Sequence, residues 1–136
     1  MDSLLEVSPV APCSTYRKGE PRSDRPNSKI STTSGVNLLV SDAEFEEVER
    51  QISDAREFFQ VHAVALKTMR KVEGVVRVGL DFGIDKRDVL VQVDSFPPDL
   101  LSLLVEIDCS LVLTQFPVSR RSRNRRRYRE SSRRSI

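Results

Sequence analysis

Asp81, Gln92 and Asp94 are the side chains whose types and spacing best suit a binding site in this chain. Two carboxylates and a carboxamide on one strand face supply acceptors for a cation or a small basic ligand, and Gly79 and Gly83 clear space beside them. The same residues also read as an ordinary solvated face, with Arg77 diagonal to Asp94 as a cross-strand ion pair. A third reading makes that face a dimer interface, with Leu90 and Phe96 as its apolar contacts. His62 is the only histidine, set between Val61 and Ala63, and reads as a surface or internally satisfied residue. Cys13 and Cys109 are far apart and in no metal spacing, so two free thiols are expected. No Cys–His pair stands at ligand spacing, and there is neither a phosphate-cradling glycine loop nor a nucleophile elbow. No catalytic residue, metal or cofactor is therefore expected, and no enzyme.

The other concentration of chemistry is cationic. Residues 119–136 hold nine arginines and one glutamate, a net of +8, which leaves −6 for residues 1–118 out of a chain total of +2. Arg120, Arg121, Arg123, Arg125, Arg126, Arg127 and Arg129 could neutralise phosphates without reading sequence, and Tyr128 could stack on a base. The alternative is a disordered, solvated tail.

The elements that must position Asp81, Gln92 and Asp94 read as a β-hairpin. Val76, Val78, Leu80, Phe82 and Ile84 alternate with Arg77, Gly79, Asp81 and Gly83, the period of a half-buried strand. A polar break at residues 85–88 follows, and Val89, Val91 and Val93 resume the apolar face. A turn centred on Lys86 and Arg87 sets Ile84 opposite Val89, Phe82 opposite Val91 and Leu80 opposite Val93. A slip of one residue would scramble both faces.

Around the hairpin, Val36, Leu38 and Val40 suggest a short strand. Ser41 and Glu44 form a capping-box pattern with Val40 and Phe45 as a staple, predicting a helix over about 42–72. Its apolar stripe is Phe45, Val48, Ile52, Ala55, Phe59, Ala63, Leu66 and Met69, with Gly74 as the stop and a break near His62. Pro97, Pro98 and Asp99 start a second helix through Ile107, and residues 110–116 have strand composition. The order predicts an α+β, ferredoxin-like βαββαβ fold: an antiparallel sheet with two helices on one face and a disordered basic C-terminal tail. The chain divides into a Pro/Ser/Arg-rich segment 1–34, mostly loop, an α+β domain 35–118, and the Arg-rich tail 119–136.

The run Leu80-Asp81-Phe82-Gly83, then residues 91–101 from Val91-Gln92-Val93-Asp94 through Pro97-Pro98-Asp99, then Leu111-Val112-Leu113-Thr114-Gln115-Phe116-Pro117, resembles the bacterial domain of unknown function 4279 family. Lys18-Gly19-Glu20 and the helix carrying Gln51, Ala55 and Phe59 are similar too, so the resemblance spans roughly residues 14–117. It departs in having no Trp before the long helix and only residues 4–10 for a first strand. The resemblance implies a small α+β protein of a family without an established activity.

Composition narrows the rest. With 38% hydrophobic and 31% charged residues, a small core with long polar ends is expected. No apolar run approaches the ~20 residues of a membrane span, and the first six residues lack the pattern of a secretory signal. These features lead to the expectation of a soluble cytoplasmic protein whose domain binds a protein or small ligand without catalysis. A protein partner or a homodimer would meet the open sheet face. The alternative is a nucleic-acid-associated protein working through its tail.

Overall fold

In the computed structural model, which describes residues 1–117, the elements follow one another as α1 (Asp2–Glu6), β1 (Ser14–Tyr16), β2 (Gly35–Asn37), α2 (Val48–Val61), α3 (Ala63–Arg70), β3 (Val78–Lys86), α4 (Pro98–Ile107) and β4 (Cys109–Pro117). β1 and β2 form a small antiparallel pair, with Thr15 opposite Val36. β3 and β4 form a parallel pair running from Val78 beside Cys109 to Lys86 beside Pro117.

The alternation in β3 does what its period predicts. Leu80, Phe82 and Ile84 are buried, and they meet Ile52, Ala55 and Phe59 of α2, Leu66 and Met69 of α3, and Leu100, Leu104 and Ile107 of α4 in one core. The helices therefore share one face of the sheet. On the other face Gly79, Asp81, Ser110 and Phe116 are exposed. The fold class is α+β. The antiparallel ferredoxin-like sheet is not what carries β3, because β3 and β4 are parallel and joined through α4.

Three exposed ion pairs link α4 to α2 and α3 at the surface. Arg56 meets Asp99 at the start of α4, Lys67 meets Glu106 at 3.4 Å near its end, and Arg70 meets Asp108 at 2.6 Å just beyond. The basic and acidic partners advance in the same order, so α2–α3 and α4 run in the same direction. Arg70 also donates to the Val75 carbonyl at 3.0 Å, holding the turn that leads into β3. Gly74 sits in that turn at φ 86°, a left-handed conformation that a side chain would strain.

Several expectations need correction. The second hairpin strand does not form. Residues 89–96 are an irregular connection, and Val89, Val91 and Val93 are exposed rather than facing the core. At the Gly83–Asp85 end, the β3 edge away from β4 is occupied by residues 44–45. Asp85 N–H donates to the Phe45 carbonyl at 3.1 Å, and Gln51 Nε2 donates to the carbonyls of Glu44 (3.1 Å) and Gly83 (2.8 Å). Phe96 turns to the helix side, its ring 4.9 Å from that of Phe82, so it is not an outward contact.

The long helix starts later than its capping box indicates. Glu47, not Ser41, is the N-cap of α2. Ser41 Oγ instead accepts from Ala43 N–H at 3.1 Å and donates to Asp54 at 2.6 Å. The physical reason is tertiary: residues 44–45 are drawn to the β3 edge, and helix cannot form where the chain is held there. Phe45 consequently leaves the apolar stripe and stacks on Phe116, with centroids 4.6 Å apart. The break near His62 is real and separates α2 from α3, with the His62 ring 4.7 Å from that of Phe58. Helix α4 and strand β4 lie close to where Pro98 and residues 110–116 place them.

Candidate functional site

Gln51 is a polar residue in the apolar stripe of α2, and it is 8% exposed. Its carboxamide ties Glu44 to Gly83 and so sets residues 37–45 alongside β3. Between that segment and the strand lies a cleft of about 350 Å³, lined on one side by Asn37, Leu38, Val40 and Ala43 and on the other by Gly79, Asp81 and Gly83.

Backbone polarity in β3 can be assigned from three contacts. Asp85 N–H and the Gly83 carbonyl are bonded on the side away from β4, whereas the Val78 carbonyl accepts from Ser110 of β4 at 3.1 Å. In an unbroken strand, alternate residues present their backbone groups to opposite edges. The even positions therefore serve β4, and Gly79, Asp81 and Gly83 address the cleft. The N–H and C=O of Gly79 and Asp81, and the N–H of Gly83, meet no partner among the described residues. The cleft is thus floored by the unpaired portion of a sheet edge.

Its mouth is shaped by aromatics. The rings of Phe45 and Phe116 stack over Gly83, where an added Cβ would come within 2.9 Å of Phe45 and 3.3 Å of Phe116. Only glycine permits that approach. Asp81 is exposed and accepts from Thr114 Oγ1 at 2.8 and 2.9 Å, an arrangement that fixes the carboxylate across the strand pair.

Gln92 and Asp94 lie elsewhere. Gln92 Nε2 donates to Asp94 at 2.9 Å and to the Asp85 carbonyl at 3.1 Å, while Gln92 Oε1 accepts from Arg87 N–H at 2.9 Å. Arg87 completes the knot with bonds to Asp94 at 2.8 Å and to the Val93 carbonyl at 3.2 Å. The structure thus brings Gln92 and Asp94 together and links neither to Asp81 by a hydrogen bond or ion pair among the described residues. The partner of Asp94 is Arg87, not Arg77. This knot folds the 85–94 connection on itself. Leu90, at its tip, is fully exposed.

Residues 120–129, the candidate phosphate-binding arginines and Tyr128, lie outside the described residues. Among the described residues no group of three or more His, Cys, Asp or Glu is placed to hold a metal ion, and no helix is long and apolar enough to cross a membrane. Both described cysteines are free.

Sequence reasoning missed Gln51, Thr114 and the 37–45 wall. For Gln51 a signal existed, since it stands three residues after Val48 and four before Ala55 on an otherwise apolar face. For Thr114 and the cleft wall none did, because both depend on which strands pair. No family model, curated protein or solved structure matches this chain.

Proposed function

We propose that the domain is a protein-binding module that takes an extended peptide along the free edge of β3, rather than an enzyme. The observation that carries this reading is the row of unpaired backbone groups at Gly79, Asp81 and Gly83, set in a cleft with an apolar far wall. Strand addition draws affinity from such main-chain groups and selectivity from the side-chain positions beside them. Asp81 at the rim favours a peptide with a basic residue at the matching position. Leu38 and Val40 favour an aliphatic one facing the other way.

The test is a panel of ten-residue peptides titrated into isotopically labelled protein at high salt. Peptides alternating Val or Thr with Lys should shift the Gly79, Asp81 and Gly83 amides and slow their hydrogen exchange. The same peptides with a central proline should not, since proline cannot complete the ladder. If no member of the panel moves those amides, the module reading is wrong.

A second reading rests on the charge division alone. The nine arginines of 119–136 suit non-specific binding to nucleic acid, which would be blind to sequence and would weaken by orders of magnitude between ~50 and ~200 mM salt. A salt-insensitive isotherm would eliminate it.

A further inference from the structure

The sheet has a second open edge. Strand β4 pairs with β3 and with no other strand among the described residues. The register sets Ser110, Val112 and Thr114 opposite Gly79, Asp81 and Gly83. In a parallel pair, the residue opposite one whose backbone groups turn away is the residue that bonds across. Ser110, Val112 and Thr114 are therefore spent on β3, and Leu111, Leu113 and Gln115 turn their N–H and C=O outward. Those outward groups meet no partner among the described residues.

The side chains agree. Leu113 stands beside Phe82 on the helix-facing side of the sheet, yet it is 47% exposed where Phe82 is 2%. Helix α4, which packs on β4, continues the open flank. It turns Asp99 and Glu106 towards Arg56 and Lys67 of α2 and α3. At 3.6 residues per turn, Leu101 and Val105 fall on the opposite flank, the β4 side, and both are exposed, Val105 by 79%.

An apolar edge of this kind is a template for another strand, and proteins usually blunt such edges with charge. Residues 109–116 carry no charged side chain. A second copy of the chain offers the matching surface. Antiparallel pairing about a two-fold axis at Val112 sets Leu111 opposite Leu113 of the second copy, twice over, and Val112 opposite its own equivalent. The outward N–H and C=O groups of Leu111 and Leu113 are then exchanged as bonded pairs. A slip of one residue would oppose outward groups to groups already spent on β3. No charge from either strand enters the contact, and the nearby Glu106 and Asp108 are held by Lys67 and Arg70.

Size sets the expected strength. Nine strand residues make a flank about 30 Å long. With α4 stacked above it, the flank presents roughly 450 Å² in projection. That is below the ~800 Å² per partner of a standard interface, so association on the order of tens of micromolar is expected.

We infer that the β4 edge is the interface of a two-fold homodimer, in which two β4 strands pair antiparallel into a four-stranded sheet ordered β3–β4–β4–β3. Leu101 and Val105 of each α4 pack across the axis. The β3 clefts lie at the outer edges of that sheet and stay open, so the pairing is independent of the peptide reading.

Sedimentation and amide exchange of the full chain test it over about 5 to about 500 μM protein, because self-association follows concentration. About 300 mM NaCl screens non-specific charge contacts. The mass should rise from one copy towards two. Over the same range the amides of Leu111, Leu113 and Gln115 should slow at least fivefold, while those of Gly79 and Asp81 do not change. Leu113→Lys should remain a single copy at every concentration and keep the protection of Leu80, Phe82 and Ile84, which reports an intact β3–β4 ladder. Gln115→Pro removes one outward donor and leaves the β3 ladder alone, so it should weaken the dimer several-fold and decides the matter if Leu113→Lys does not fold. A single copy throughout overturns the inference. So does a dimer whose β4 amides do not respond, which places the contact on another surface. Protection of those amides that is independent of concentration also overturns it, since the edge is then closed within one chain. Variants that associate as the parent chain does overturn it as well.

Discussion

At the scale of single residues, Phe82 and Cys109 show how position decides chemistry. Phe82 is 2% exposed, in the centre of the β3 core face and against the Phe96 ring. Phe82→Ala should cost about 3–5 kcal/mol, the range for emptying a buried phenyl site. Denaturant titration would reveal this, and a loss below about 1 kcal/mol would contradict the packing described. Burial pushes the Cys109 thiol up from its ordinary 9.0 to about 11, with the Leu80 backbone bond partly offsetting this and the Asp108 carboxylate adding to it. Exposed Cys13 should therefore react with a maleimide at pH 8 faster than half-buried Cys109. The sign for stability follows. Above pH 9 the unfolded chain gives up the Cys109 proton while the folded chain holds it to about 11, so the unfolded state binds fewer protons. The contribution of this thiol to stability is complete below pH 9 and is lost as pH rises towards 11. Cys109→Ala should flatten the decline of stability over that window, and an unchanged slope would show that the group does not couple to folding.

At the scale of elements, the sequence specified faces better than neighbours. The burial of Leu80, Phe82 and Ile84, the proline start of α4 and the junction at His62 were legible because each depends on local periodicity or backbone chemistry. The partner of β3 was not. Alternation says which side of a strand is apolar and nothing about which strand lies beside it, and β4 offers the same apolar rows as residues 89–93. The cap of α2 failed for a related reason. Ser41 and Glu44 satisfy a local rule, yet Gln51 and Phe45 recruit that stretch to the β3 edge. Gln51→Leu keeps the size of the side chain and removes both donors, leaving the Glu44 and Gly83 carbonyls without them. A loss of about 1–3 kcal/mol is expected. The Asp85 amide, bonded to the Phe45 carbonyl, should exchange faster, while those of Leu80 and Phe82 hold. Equal acceleration across all of β3 would mean that Gln51 supports the whole sheet rather than this tie.

At the scale of the whole molecule, the candidate site was half legible. The alternation of β3 puts Asp81 on the open face between two glycines, and there it stands, at the rim of the cleft. Gln92 and Asp94 were grouped with it only through a hairpin that does not form, and they are spent on Arg87. That hairpin is nevertheless the more local of the two pairings open to β3. The native pairing joins Val78 to Cys109, 31 positions on, and must wait until α4 docks. The local pairing of Phe82 with Val91 closes a four-residue loop between Ile84 and Val89, and hairpins of that kind form in about 1–10 μs. A chain emerging from a ribosome has residues 89–93 available before β4 exists. If that local pairing forms first, native folding has to undo it. Val91 is 72% exposed in the finished fold, so Val91→Lys should leave stability within about 0.5 kcal/mol. The same change puts a charge into the core face of the transient hairpin. In stopped-flow experiments the variant should refold several-fold faster at the same unfolding rate, and a refolding rate equal to that of the parent chain would show that the early detour is never taken.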